Sequence, residues 1–253
     1  MKIFDFHTHP GYDWNEKETG IKMTPEVFIG GLKSNGITRA SGTVLKKYFH
    51  EKNFDDLGET IKELNSEAYS IYKAYPDFYS PGIHVNPDLK ELSLNEIEKY
   101  GKLGVKLIGE IVRYNWTTEY NNYDFFDILH ASTKYDMVLN FHPTNYNDVK
   151  ELVLNNKQTK IVMAHVESSP FYEEVTNLAK QCDNLYFDIS GKGIFNNLVK
   201  NTVNKVGKER VLFGSDYPGY DVKIFVDKVL NSGLLDSELE CVLWSNAVNL
   251  LDK

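Results

Sequence analysis

Lys2-Ile3-Phe4-Asp5-Phe6-His7-Thr8-His9-Pro10 opens the chain as a short apolar strand that ends on two histidines one residue apart. In an extended strand, residues i and i+2 project to the same side. His7 and His9 therefore aim two imidazoles at one point, which suits a metal that prefers nitrogen ligands. Alone the pair is a weak signal, because two surface histidines would read the same way. Its weight comes from what recurs downstream.

Working outward, the chain alternates strand and helix. Thr24-Pro25-Glu26 reads as a helix start, with Thr24 as N-cap and Pro25 at the first helical position, and Asn35-Gly36 as its end. Leu57, Ile61, Leu64, Ala68 and Ile71 fall at helical spacing, and Pro76 stops that run. Ser93-Leu94-Asn95-Glu96 has the pattern of a capping box opening a short helix. Further strands are expected from Ile37 to Leu45, Phe78 to Val85, Val105 to Ile111, Met137 to His142, Lys160 to His165, Leu185 to Ile189 and Val211 to Asp216. Regular alternation implies a parallel sheet with right-handed crossovers. Eight such units in 253 residues, with no Pro/Ser-rich linker, predict a single-domain (β/α)8 TIM barrel over residues 1–253. Its active site would sit at the C-terminal ends of the strands. An open doubly wound sheet would want a glycine-rich phosphate loop after the first strand, and His7-Thr8-His9-Pro10 is not one.

The formal net charge of -8 argues against broad attraction to nucleic acid or an anionic membrane. Asp5 and His7 interrupt the only early apolar run, so no signal peptide is expected, and no stretch is long enough to span a bilayer. Cys182 and Cys241 stand far apart and outside any Cys-x-x-Cys pattern. They read as two buried thiols in a reducing compartment, with the cytoplasm as the expected location.

Strand ends carry the chemistry. The first gives His7 and His9, the fourth Glu110, the fifth His142, the sixth His165 and the eighth Asp216. In a parallel barrel these six metal-competent side chains would converge on one mouth, and four of the chain's seven histidines are among them.

This pattern resembles the amidohydrolase superfamily. The resemblance rests on Asp5-Phe6-His7-Thr8-His9, Asn140-Phe141-His142-Pro143, Met163-Ala164-His165 and Phe213-Gly214-Ser215-Asp216-Tyr217-Pro218. The ending Trp244-Ser245-Asn246-Ala247-Val248-Asn249-Leu250 is similar to the closing helix of the amidohydrolase-2, or amidohydrolase-related, branch. The resemblance implies one of two metal arrangements. In the first, His7, His9, His142 and Asp216 hold one zinc, and His165 contacts water or substrate. In the second, His7, His9 and Asp216 hold one ion, His142 and His165 hold another, and Glu110 bridges them. Gly109-Glu110 resembles the bridging position of TatD-type hydrolases and favours the second. Lys106, the alternative bridge, shares strand parity with Glu110 but lies deeper. The implied cofactor is a divalent metal, with zinc expected, one or two ions per chain.

The implied activity is metal-dependent hydrolysis of an amide, ester, lactone or related bond in a small substrate. Asp216 would act as general base and then general acid, with His165 as the second catalytic residue. The alternatives are a zinc-dependent decarboxylase of the same branch, a TatD-type nuclease, which the net charge disfavours, and a barrel that has lost its chemistry. Arg113 could clamp a substrate carboxylate or form a surface salt bridge beside Tyr114 and Trp116. Lys192, between Gly191 and Gly193, could flank an anion site or sit in a plain loop. Tyr12 and Trp14 could wall the pocket. His84 reads as a hydrogen-bonded barrel histidine, and His50 and His130 as solvated or structural.

Overall fold

Eight strands form one sheet in the order of the sequence: β1 (Phe4–Thr8), β2 (Arg39–Gly42), β3 (Tyr79–Ile83), β4 (Leu107–Ile111), β5 (Val138–Phe141), β6 (Ile161–Met163), β7 (Leu185–Asp188) and β8 (Val211–Leu212). Every pairing is parallel. The ring closes between β1 and the segment after β8. Phe6 N–H donates to Phe213 O at 2.9 Å, Asp216 N–H to His7 O at 2.8 Å, and His9 N–H to Tyr217 O at 2.8 Å. The architecture is a (β/α)8 TIM barrel. This computed structural model describes residues 1–252 except 14–15, 17–19, 51–56, 114–115 and 193–197, and omits the side chains of 48 and 50. Trp14, Tyr114, Gly193 and the His50 side chain therefore lie outside the described residues.

Among the described residues a principal helix follows each strand, with a short helical turn at Lys47–His50 preceding the second helix: α1 (Pro25–Ser34), α2 (Leu57–Ala74), α3 (Lys90–Lys102), α4 (Tyr123–Ser132), α5 (Tyr146–Asn155), α6 (Tyr172–Leu178), α7 (Val199–Val206) and α8 (Val222–Leu230). Two more, α9 (Asp236–Glu240) and α10 (Asn246–Leu251), end the chain around a π-helical turn at Cys241–Ser245. Local caps start several of them. Thr24 Oγ1 accepts from Val27 N–H, with Pro25 in the first turn. Asn122 and Asn145 do the same for α4 and α5, accepting from Phe125 N–H at 2.8 Å and Asp148 N–H at 2.9 Å. Each cap satisfies an N–H that the helix itself leaves without a partner. Among the described residues no helix is long and apolar enough to cross a membrane.

Four expectations need correction, the last of them at Lys106 below. The ladder stops short of most expected strand ends, because the last residues of each run leave it to build the mouth. Ser93 and Glu96 do not open a helix: α3 begins at Lys90, and both residues are buried inside it. Ser93 Oγ donates to Asn86 O at 2.8 Å, and Glu96 accepts from Asn65 Nδ2 at 2.9 Å, so these polar groups tie α3 to its neighbours. Cys182 is buried but Cys241 only partly so, and both are free thiols.

Phe4, Phe6, Leu107, Val138, Val162 and Leu212 form one buried cluster with Ala247, Leu250 and Leu251 of α10. Side chains from strands as far apart as β1, β4 to β6 and β8 can meet only inside the ring. They fill its lower half, and α10 plugs that end. The β1–β2 register shifts between Asp5 and Thr8, and the β4–β5 register between Ile108 and Ile111. Such irregularities re-aim side chains. They let Phe4 and Phe6 fill the floor while His7 and His9 serve the mouth. They also separate Lys106 from Glu110, overturning the shared parity expected from sequence. Leu107 faces the interior, and Lys106 Nζ donates to Tyr135 O at 2.9 Å outside it.

Candidate metal centre

The six side chains expected at the mouth meet there. His7 Nε2 and His9 Nε2 stand 3.1 Å apart. Asp216 Oδ1 lies 3.3 Å from His9 Nε2 and 4.0 Å from His7 Nε2. Glu110 sits between two pairs of imidazoles. Its Oε2 is 3.5 Å from Nε2 of both His7 and His9. Its Oε1 is 3.0 Å from His142 Nδ1 and 3.0 Å from His165 Nε2. In two sets of three, His7–His9–Asp216 and His7–Glu110–His165, the ligating atoms all lie within 4.8 Å of one another.

Local backbone explains how distant residues reach one point. By alternation from Val162, His165 would face away from the interior. Its left-handed backbone, φ 58°, turns the ring back into the mouth; Asp216, which alternation from Leu212 already points inward, is also left-handed at φ 62°. Non-glycine residues in this region are uncommon and cluster at functional sites. The return of His165 needs an open neighbour. A Cβ on Gly191 would fall 2.4 Å from His165 Nδ1, so only glycine fits there.

The donor set suits a divalent cation. Two nitrogens each about 2.0–2.1 Å from zinc, at a tetrahedral angle, lie roughly 3.3–3.4 Å apart. The 3.1 Å His7–His9 and 3.3 Å His9–Asp216 separations match that spacing. Mixed imidazole and carboxylate donors also suit manganese and related ions.

A sequence model of the family described as Amidohydrolase, amidohydrolase-2, matches residues 4–253. The chain belongs to this family. A search of curated proteins gave no match. Among solved structures, a Staphylococcus aureus protein described as an amidohydrolase superposes with a TM-score of 0.79 at 17% identity, over 100% of both chains. A 2,6-dihydroxybenzoate decarboxylase from Rhizobium gives 0.77 at 11% identity, over 100% of this chain and 99% of that one. A dihydroxybenzoic acid decarboxylase from Polaromonas sp. JS666, with bound manganese and an inhibitor, gives 0.76 at 13% identity, over 99% and 97%. At such identities the likeness establishes the shared fold.

Burial and charge set the protonation of the barrel mouth. Burial opposes a charge on His7, but Asp188 and Glu110 beside it hold its pKa well above the usual imidazole value. Burial likewise opposes protonation of His9, and hydrogen bonds to Asp216 and Glu110 raise it to about 9. Burial would raise Glu110, yet His7 and His165 hold it well below the ordinary carboxylate range. The cluster is thus a set of anions and imidazoles that attract positive charge between them, whether protons or a metal ion.

Asp188, at the end of β7, was not among the sequence candidates. It is fully buried directly behind His7, with Oδ2 2.9 Å from His7 Nδ1. An acidic residue closing the apolar run Leu185-Tyr186-Phe187 was the available signal. Arg113 turns to its own loop. Its guanidinium donates to Thr118 O at 3.0 Å, pairs with Glu119 and stacks over Tyr120. His84 is a buried barrel histidine, with Nε2 2.8 Å from Val44 O. A cavity of about 550 Å³ opens above the cluster, bounded by His9, Glu110, His142, His165 and Asp216, with Tyr12, Leu45, Val112 and Tyr220 as further walls. A smaller lobe of about 280 Å³ extends past His165 toward Phe171 and Lys192.

Proposed function

We propose that this amidohydrolase is a metal-dependent hydrolase that cleaves an amide, ester, lactone or related bond of a small substrate. His7, His9 and Asp216 would hold one divalent cation, and His142 and His165 a second, with Glu110 between them. Zinc is the first ion to test. When bound, such ions supply Lewis acidity toward water and toward a substrate oxygen. Asp216 is partly exposed to the cavity and is the group that takes a proton from the attacking water and returns it to the leaving group. Tyr12, Leu45 and Val112 give the cavity an apolar wall against which a small organic substrate can rest.

The observation that supports this reading is the division of Glu110. One oxygen faces His142 and His165, and the other faces His7 and His9. A carboxylate so placed serves two cations better than one. A second reading, a one-metal decarboxylase, draws on the full-length likeness to the Rhizobium and Polaromonas decarboxylases. In it His165 would contact substrate in place of a second ion. Elemental analysis of the purified chain, with product analysis over a panel of esters, amides, lactones and aromatic acids, separates the two. Two metal equivalents and hydrolytic products support the proposal. One equivalent with released CO₂ replaces it with the second reading.

A further inference from the structure

We propose that Asp188, acting with Ser190, is the positioning residue that fixes the ring tautomers of His7 and His165, so that both present an unprotonated Nε2 to the metal centre. This rests on the reading of those imidazoles as ligands. Asp188 is fully buried and is surrounded by donors. Its Oδ1 accepts from His165 N–H at 3.1 Å, from Ser190 N–H at 3.1 Å and from the Ser190 hydroxyl. Its Oδ2 meets His7 Nδ1 at 2.9 Å and Asn140 Nδ2 at 3.1 Å.

A carboxylate held this way only accepts, so the His7 proton facing it belongs on Nδ1. The Ser190 hydroxyl spends its one hydrogen on Asp188, so Ser190 Oγ is an acceptor for His165 Nδ1–H at 2.9 Å. Both rings thus carry a proton at the back, and Nε2 of each faces Glu110. The bond to His165 N–H also pins the left-handed turn that returns His165 to the mouth. Which imidazole nitrogen binds a metal is set by the hydrogen bond that the other nitrogen makes.

Asp188→Asn tests this with little change of shape. Three donors surround the Oδ1 position, so the amide oxygen must lie there and the NH₂ must face His7 Nδ1. An NH₂ at that point demands an acceptor and favours moving the His7 proton to Nε2, the ligating atom, leaving Ser190 Oγ, 3.1 Å from Nδ1, as the one remaining acceptor that holds it at the back. Chelator-stripped wild-type and D188N protein are titrated with Zn²⁺ against a competing chromophoric chelator, with circular dichroism as the check on folding. The expected result is a folded variant that binds zinc about 10–100-fold more weakly. Folded D188N with wild-type zinc affinity overturns the proposal. Long-range ¹⁵N–¹H spectra of wild type, metal-free and zinc-titrated, decide the matter even if the variant does not fold. A proton on His7 Nδ1 that persists on titration supports the assignment, and its absence refutes it. Wild type that takes up neither Zn²⁺ nor Mn²⁺ sinks the metal-dependent reading instead, while the Nδ1 proton still decides the assignment.

Discussion

The two ends of the barrel are built on the same strands and obey opposite rules. At the floor, Phe4, Phe6, Leu107, Val138, Val162 and Leu212 pack against α10 in a wholly apolar plug. At the mouth, a few residues further along those strands, imidazoles and carboxylates are crowded to within 3.0–3.5 Å. The floor contributes stability by keeping apolar surface from water, roughly 25 cal/mol per Å². The mouth buries charges at a cost that only mutual pairing, or a cation, offsets. Stability and chemistry are therefore separated along the barrel axis, and substitutions at the two ends should fail in different ways.

The largest expected effect is at the mouth. Asp216→Asn should lower kcat by about 10²–10⁴-fold while circular dichroism still reports a folded protein. Near-normal turnover would remove Asp216 from the reaction. At the floor, Phe6→Ala should cost about 3–5 kcal/mol in denaturant unfolding, with metal content per folded chain unchanged. Loss of metal as well would show that the ends are not independent.

A third test sits beside the mouth but outside its chemistry. Lys228 pairs with the fully buried carboxylate of Glu167, whose pKa burial raises to about 7 against the pull of Lys228. Lys228→Met should destabilise by about 3 kcal/mol at pH 8, where Glu167 loses its cationic partner and must either keep its charge in the interior or take up a proton against the solution pH. The cost should shrink at pH 5, where Glu167 takes a proton. Equal losses at both pH values would mean that the pairing is not what matters there.

The smallest effect is a pH slope. His9 has its pKa raised to about 9, and His7 and His165 shift the same way. A raised histidine pKa gives stability that is full below the unfolded value, about 6.5, and lost as pH rises through the folded one. The metal-free protein should therefore lose thermal stability between about pH 6.5 and 9, and saturating metal should flatten that slope. A metal-free midpoint that rises over this window would contradict the assigned charges.

Much of this was legible in the sequence because parallel strands, covered on both faces, read as near-continuous apolar runs. The residues that break such runs at their ends, His7, His9, Glu110, His142, His165 and Asp216, then stand out. Three things were hidden. Asp188 looked like the polar tail of a strand, and its importance lies in what crowds around it from three other strand ends. Simple alternation put Lys106 on the face of Glu110, because the register shift between Ile108 and Ile111 is marked by a single letter, Gly109, whose φ of 97° lets the strand bulge there. Ser93 and Glu96 matched a capping pattern, but partners from elsewhere in the fold, Asn86 and Asn65, took their hydrogen-bonding capacity.

The closing seam has a consequence for the order of assembly. Asp216 reaches the opening histidines only because its own N–H bonds to His7 O and His9 N–H bonds to Tyr217 O. During synthesis, then, the first strand emerges with two of the six ligands and must wait until Asp216, beyond the eighth strand, has followed. Ion capture becomes a late event that reports completion of the ring, and a chain cut short before its last strand cannot assemble the full ligand set.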